Sequence, residues 1–227
     1  MHRSLPRAST LLSALLAAAP AFAQDITLPL TAQGNEPFWS VEAAAEGLRL
    51  SEPEGKGTVQ NLPFTQSTEG GSLILTTTDF TLRIDPTLCR DNMSGMPFPF
   101  TATLTRAGTD QSGCAGNSAA LLASDWTVTD LNGSALPEGL DVTLSFADGR
   151  ISGSSGCNRF TGGYELTGEG LTLGQIAATR MACPPPAMET EQAVLAALSA
   201  ITRFDIGREG ALLLQSDEAT TVLSARR

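Results

Sequence analysis

Four cysteines, Cys89, Cys114, Cys157 and Cys183, and a scatter of carboxylates are what this 227-residue chain offers for chemistry. The only histidine is His2 and the only lysine is Lys56. His2 falls in a leader-like segment, so a mature chain would lack the imidazole of a Ser-His-Asp or Cys-His nucleophile system. A histidine-bearing zinc or other transition-metal site is excluded for the same reason. Lys56 stands between two glycines, an exposed loop setting rather than the buried one that lowers an amine's pKa. The cysteines include no C-x-x-C pair, which disfavours a cysteine-only metal site. Carboxylates are then the remaining general acid–base option. Asp79, Asp85 and Asp91 alternate with apolar residues and read as solvated strand ends or turns. Glu52, Glu54 and Asp110 form no Asp-x-Asp-x-Asp-Gly calcium loop, and Gly153-Ser154-Ser155-Gly156 lacks the lysine of a phosphate loop. The expectation is a non-enzyme with no catalytic residue, no metal and no cofactor.

Recognition has more candidates. Asn158 and Arg159 follow Cys157, where a disulfide would hold their backbone and limit the entropy lost on binding a partner. The competing reading keeps both at home, with Asn158 satisfying a turn and Arg159 pairing with a local carboxylate. Met93, Met96 and Phe98, in a loop with Pro97 and Pro99, make the most exposed-looking apolar cluster and a second candidate partner site. Packing around Cys89 is its simpler account. Trp39 and Trp126 are expected as buried core aromatics rather than exposed anchors.

The elements that position these residues begin after a leader. His2, Arg3 and Arg7 give a basic start, Leu11 to Ala19 an apolar core, and Ala21-Phe22-Ala23 an A-x-A cleavage site before Gln24. The apolar run is too short for a permanent transmembrane helix. Residues 1–23 are therefore expected as a cleaved signal peptide, leaving a chain without a transmembrane anchor in the periplasm or outside the cell. Its removal takes Arg3 and Arg7 and no acid, leaving 12 basic against 24 acidic residues and a net charge of −12. That acidity disfavours nucleic acid and anionic membrane surfaces. It suits plain solubility or a cationic partner.

About 204 mature residues suit two modules better than one core. The expected division is 24–118 and 122–225, with the boundary in Ser118 to Ser124. Both halves read as β. Leu48-Arg49-Leu50, Leu73 to Thr76, Phe80 to Ile84 and Phe100 to Thr105 are strand-like runs in the first half. Trp126 to Val128, Val142 to Phe146 and Ile151 to Gly153 follow in the second, with Asp148-Gly149 turning the last two into a hairpin. Phe204 to Ile206, Leu212 to Leu214 and Thr221 to Leu223 close it. A helix is expected over Met188 to Thr202, where Val194, Leu195, Leu198 and Ile201 recur at helical spacing. Three pairings of the cysteines are open, and Cys89–Cys114 with Cys157–Cys183 is favoured because each pair then lies within one module. Each bridge would close a loop of about 26 residues, worth roughly 3–4 kcal/mol on the chain-entropy estimate.

The second half resembles the META (HslJ-like) domains. The resemblance is carried by Trp126 with Leu131-Asn132-Gly133, Leu144 to Phe146, Asp148 to Gly153, Gly156-Cys157-Asn158-Arg159-Phe160, Gly163-Tyr164 and Thr179-Arg180-Met181-Ala182-Cys183-Pro184, with Met188 and Glu191 ahead of the helix. Val194 departs from the aromatic residue common there. The resemblance implies a mainly β fold: a compact antiparallel sheet, partly barrel-like, with one packed α-helix. The first half is similar to exported modules carrying Gly34-Asn35-Glu36-Pro37-Phe38-Trp39, a later Cys89 to Met96 segment and a closing Gly113-Cys114-Ala115-Gly116. Two small antiparallel β-sheet or partial-barrel domains are thus expected. Together with the leader and the missing catalytic residues, the resemblance points to an exported non-enzymatic protein acting in stress response or envelope maintenance by binding an unknown protein or envelope component, and a monomer is expected. An alternative is an inhibitor of a cationic envelope-attacking enzyme such as lysozyme, motivated by the acidic, disulfide-stapled β modules. A carboxylate-dependent hydrolase comes third and would need two convergent acids.

Overall fold

The computed structural model describes residues 25–52, 57–217 and 219–227. The expected signal peptide, and with it His2, as well as Glu54 and Lys56, lie outside the described residues. The remainder is mainly β, arranged as two large antiparallel sheets, one a half-barrel and the other a near-barrel.

The first sheet takes β1 (Leu30–Asn35), β2 (Phe38–Ala44), β3 (Gly47–Glu52), β4 (Gly57–Leu62), β5 (Thr65–Glu69), β6 (Ser72–Thr76) and β7 (Thr81–Asp85). A two-stranded ribbon follows, β8 (Cys89–Arg90) with β9 (Pro97–Phe98), before β10 (Phe100–Arg106) and β11 (Thr109–Ala115) complete the sheet. Its nine strands run in the order β4-β3-β2-β1-β11-β10-β7-β6-β5. Alternation dictates the buried face: Trp39, Val41 and Ala43 in β2, Leu48 and Leu50 in β3, Leu82 and Ile84 in β7, and Ala102 and Leu104 in β10 point into one core. The edge strand β5, Thr65-Gln66-Ser67-Thr68-Glu69, is exposed at every position. Its polar character discourages edge-to-edge pairing. Gly34 and Gly113 allow the strands to close on Trp39. A Cβ at Gly34 would stand 2.3 Å from Trp39 Nε1, and one at Gly113 would stand 2.1 Å from Gln33 O.

The second sheet is built from β12 (Asp125–Leu131), β13 (Ser134–Ala135), β14 (Val142–Ala147), β15 (Arg150–Ser155), β16 (Arg159–Leu166), β17 (Leu171–Leu173), β18 (Ala177–Ala178), β19 (Arg203–Ile206), β20 (Leu212–Gln215) and β21 (Thr221–Arg226). Its main path is β17-β16-β15-β14-β12-β21-β20-β19, with β13 against β12 and β18 against β16. Leu171 N–H donates to Thr202 O at 2.8 Å, drawing the two ends of the path together. Asp148 (φ 50°) and Gly149 (φ 73°) turn β14 into β15 with Ala147 opposite Arg150, the tight hairpin that Asp-Gly favours.

The long helix, α2, spans Pro185–Ser199 after a four-residue α1 at Ala119–Leu122. It therefore starts three residues before the expected Met188 and stops before Thr202. Proline at the first turn supplies a helix-compatible φ and lacks only an N–H that would have no partner there, so the prolines start the helix rather than delay it. Ile201 lies beyond the helix and is still buried in the second core. The expected boundary segment is likewise structured. Leu121 and Leu122 of α1 are 1% and 0% exposed and belong to the second core.

The two sheets are tied together by the β8–β9 ribbon. Met96, just before β9, is 1% exposed within the second core, and Leu88 and Phe98 pack against that core. Arg90 Nε donates to the Asp205 carboxylate at 3.0 and 3.1 Å, and its Nη2 donates to Ile206 O at 2.9 Å. Arg203 donates to Ser94 O from the other side. Among the described residues no helix is long and apolar enough to cross a membrane.

Candidate functional site

Two stretches far apart in sequence, 156–158 between β15 and β16 and 179–184 between β18 and α2, meet at one end of the second barrel. Cys157 and Cys183 bridge them, with S–S at 1.97 Å and Cα–Cα at 6.0 Å. Beneath the bridge lies Glu191, in the second turn of α2 and 9% exposed. Its Oε2 accepts from Asn158 N–H at 3.1 Å and from Asn158 Nδ2 at 2.9 Å. Ser155 Oγ lies 3.1 Å from the same oxygen and 2.9 Å from Asn158 O, so its one proton serves one acceptor at a time. A carboxylate taken out of water is costly unless donors surround it, and these groups supply them.

Asn158 is 2% exposed. Its Oδ1 accepts from Thr179 Oγ1 at 2.7 Å and from Met181 N–H at 2.8 Å, while Nδ2 also donates to Met181 O at 3.3 Å. The side-chain amide thus meets the Met181 peptide in both directions, as a neighbouring strand would. Asn158 is a buried pin, not an accessible contact. Arg159 is exposed beside it: its carbonyl accepts from Thr179 N–H at 2.9 Å. Its guanidinium reaches no carboxylate among the described residues, so the expected local ion pair is not formed. Arg180 is also exposed, and Met181 is 59% exposed.

The Met93, Met96 and Phe98 cluster is divided by its own turn. Asp91 Oδ1 accepts from Met93 N–H at 3.0 Å, Ser94 N–H at 2.8 Å and Ser94 Oγ at 2.9 Å, and Gly95 turns the chain at φ +72°. Met93 points out at 67% exposure, whereas Met96 is buried and Phe98 half-buried. The expected exposed patch reduces to Met93, because the turn sends the next two apolar side chains into the second core. Asn35 Nδ2 donates to Asp91 Oδ2 at 2.7 Å, and Cys89 is bridged to Cys114 (S–S 1.93 Å, Cα–Cα 5.5 Å). The three segments of the first half singled out by sequence therefore adjoin. Burial pushes the Asp91 carboxyl up, but donors from Ser94, Asn35 and Met93 outweigh it and hold the group below its ordinary value.

No cysteine is free. Among the described residues, no group of three or more His, Cys, Asp or Glu could hold a metal ion. Asp85 is engaged by Ser72 Oγ and by Arg83 Nε at 2.9 Å. An open cleft of about 850 Å³ lies between the two sheets, lined by Glu42, Phe100, Asn117, Ser118 and Thr167 among others. None of Asn158, Arg159 or Glu191 lines it. Trp39 and Trp126 are 3% and 1% exposed, and Trp126 Nε1 donates to Leu122 O at 2.9 Å under the Arg227 guanidinium, 4.8 Å from the ring centroid.

Sequence reasoning gave Glu191 no role, although a signal existed. It stands three residues before Val194 and seven before Leu198, on the buried face of the helix. A carboxylate on an apolar helical face calls for a buried partner. Ser155 carried no comparable signal.

The META domain family matches residues 119–227. An NMR structure of a protein from Burkholderia xenovorans is similar at 31% identity, over 48% of this chain and 86% of that chain, with a TM-score of 0.41. A second NMR structure, described only as that of a protein, is similar at 27% identity over 47% of this chain and 91% of its own, with a TM-score of 0.39. No curated protein matches the chain.

Proposed function

Since the C-terminal half of this chain, residues 119–227, is a META domain, we propose that the protein is exported, carries a second β module over residues 24–118, and acts by binding an envelope partner rather than by catalysis. The observation that carries this reading is the state of the groups around the shared motif. Its two cysteines are bridged, and the one buried carboxylate beneath them receives donors from Ser155 and Asn158. A general base or nucleophile needs a free lone pair aimed at a substrate. Glu191 instead commits its Oε2 to holding the loop. The two bridges fit an oxidising compartment, where an exported chain would acquire them.

The test is intact mass spectrometry of the protein isolated from the cell envelope of its producing organism, followed by crosslinking capture. The expected species begins at Gln24 and contains no titratable thiol. It retains a specific crosslinked partner when Glu191→Gln is introduced into a chain that remains folded. A full-length, thiol-bearing species in the cytosol would overturn the export reading. Turnover of an envelope glycan or peptide that vanishes in the folded Glu191→Gln variant would overturn the non-catalytic one. The lysozyme-inhibitor alternative predicts that the purified protein suppresses lysozyme at micromolar excess, and unchanged lysis rules it out.

A further inference from the structure

We propose that the segment Ala177 to Ala182 is a docking edge for an extended acidic peptide, which pairs beside it as an added strand and sets its carboxylates against Arg159 and Arg180. This inference rests on the partner-binding reading and names its surface. Strand β18 pairs with β16 alone, leaving its other edge open. Past the strand, Thr179 N–H donates inward to Arg159 O and Met181 N–H inward to Asn158 Oδ1. Donors two residues apart on one side are the alternation of an extended chain, so the intervening Arg180 N–H and the following Ala182 N–H face the other way. Neither has an acceptor among the described residues. An open edge with unpaired backbone donors is the template used in β-strand addition.

Charge selects the peptide. The chain as a whole carries a net −10. Residues 177–182 (Ala-Ala-Thr-Arg-Met-Ala) contain one positive and no negative side chain, and Arg159 stands opposite Thr179 with its guanidinium outward. The ion pairs of the described structure engage Arg49, Arg83, Arg90 and Arg106, leaving Arg159 and Arg180 without a carboxylate. Half-exposed Met181 adds apolar contact area of a kind that a peptide side chain uses. The edge is also held before any partner arrives. The Cys157–Cys183 bridge fixes one end and the Asn158 amide its middle, which lowers the ordering cost of association.

The test titrates the ¹⁵N-labelled, disulfide-intact protein with the blocked peptide acetyl-Glu-Val-Glu-Val-Glu-Val-amide and follows amide shifts. Shift changes should cluster at Arg159 and residues 177–182. Affinity should fall roughly five- to tenfold in the Arg159→Gln/Arg180→Gln double variant, as two lost exposed ion pairs require. It should be lost for the same peptide N-methylated at alternate residues, which keeps every charge and removes the strand donors. Equal binding of a Lys-Val peptide, equal binding of the N-methylated peptide, shifts elsewhere, or an unaffected double variant would each overturn the proposal. Preference for phosphatidylglycerol vesicles over the peptide would assign the arginines to a lipid surface and overturn it as well. If no shift appears while the double variant still captures the envelope partner of the wild-type chain, partner binding stands and this surface falls.

Discussion

Asn158→Ala should be among the most damaging single substitutions outside the two apolar cores. The side chain makes five hydrogen bonds of 2.7–3.3 Å, to Glu191 Oε2, Thr179 Oγ1, Met181 N–H, Met181 O and Cys157 Sγ. A neutral bond contributes about 0.5–1.5 kcal/mol net and one to a charged group about 1.5–3 kcal/mol. Thr179 and Met181 are exposed and can turn to water once released, which discounts their share. Glu191 cannot, and it would keep only Ser155 Oγ and the residue-158 N–H as donors. The net cost is then about 2–4 kcal/mol. Urea unfolding followed by the separate indole N–H resonances of Trp39 and Trp126 measures it in each half. The Trp126 midpoint should shift strongly. Asn158→Asp should cost more than Asn158→Ala near neutral pH, since it sets one carboxylate against another in a buried site. A loss below about 1 kcal/mol for Asn158→Ala, or an Asn158→Asp variant as stable as wild type, would refute the view that this amide holds the motif together.

Four further outcomes follow from the geometry. Replacing both Cys157 and Cys183 by serine should lower stability by about 3.5 kcal/mol, the loop-closure value for a separation of 26 residues, read from the same urea transitions. Gly113→Ala should destabilise the first sheet by several kcal/mol on the order of an overpacked core, because its Cβ would fall 2.1 Å from Gln33 O. Gly139→Ala, with open space around it and φ +79°, should cost only about 1 kcal/mol. For Asp91, whose folded pKa is depressed, the stabilisation is present above the unfolded carboxylate value of about 3.9 and is lost as pH falls through the folded one. The stability gap between wild type and Asp91→Asn should therefore narrow on acidification, and a gap that widens would reverse the assignment.

Strands carrying alternating or aliphatic runs were legible in the sequence, and Leu73 to Thr76, Phe100 to Thr105 and Val142 to Phe146 fall within observed strands. Strands whose alternation is interrupted by hydroxyl residues or glycine were not. In β5 no residue is buried, and in β16 glycine occupies the buried Gly162 position, so no hydrophobic period existed to read. Helix α2 was legible in type and blurred at its start, because three consecutive prolines permit both a break and a first turn. The two motif segments flanking the bridge were legible as a pair, since the cysteines mark them. Their accessibility was not. Asn158 and Arg159 are adjacent in sequence and opposite in fate, one buried against a helix carboxylate and one in solvent, and only the path of the chain between β15 and β16 decides which is which. The same limit applied to Met93 and Met96, which an Asx turn and Gly95 send to opposite sides.

The burial of Met96 in the second core has a temporal consequence. A ribosome releases residues 88–98 long before Phe204, Ile206 and Leu212 exist as chain. Until those strands form, Leu88, Met96 and Phe98 have no apolar surface to meet, and Arg90 lacks Asp205. The nascent first half must then present a sticky ribbon for the whole time its sequel is being made. A holdase that shields short apolar hairpins would find its substrate in that interval, and the last β-strands to be synthesised would displace it. Circular permutants that place residues 119–227 first would shorten this vulnerable interval and should aggregate less during cell-free translation.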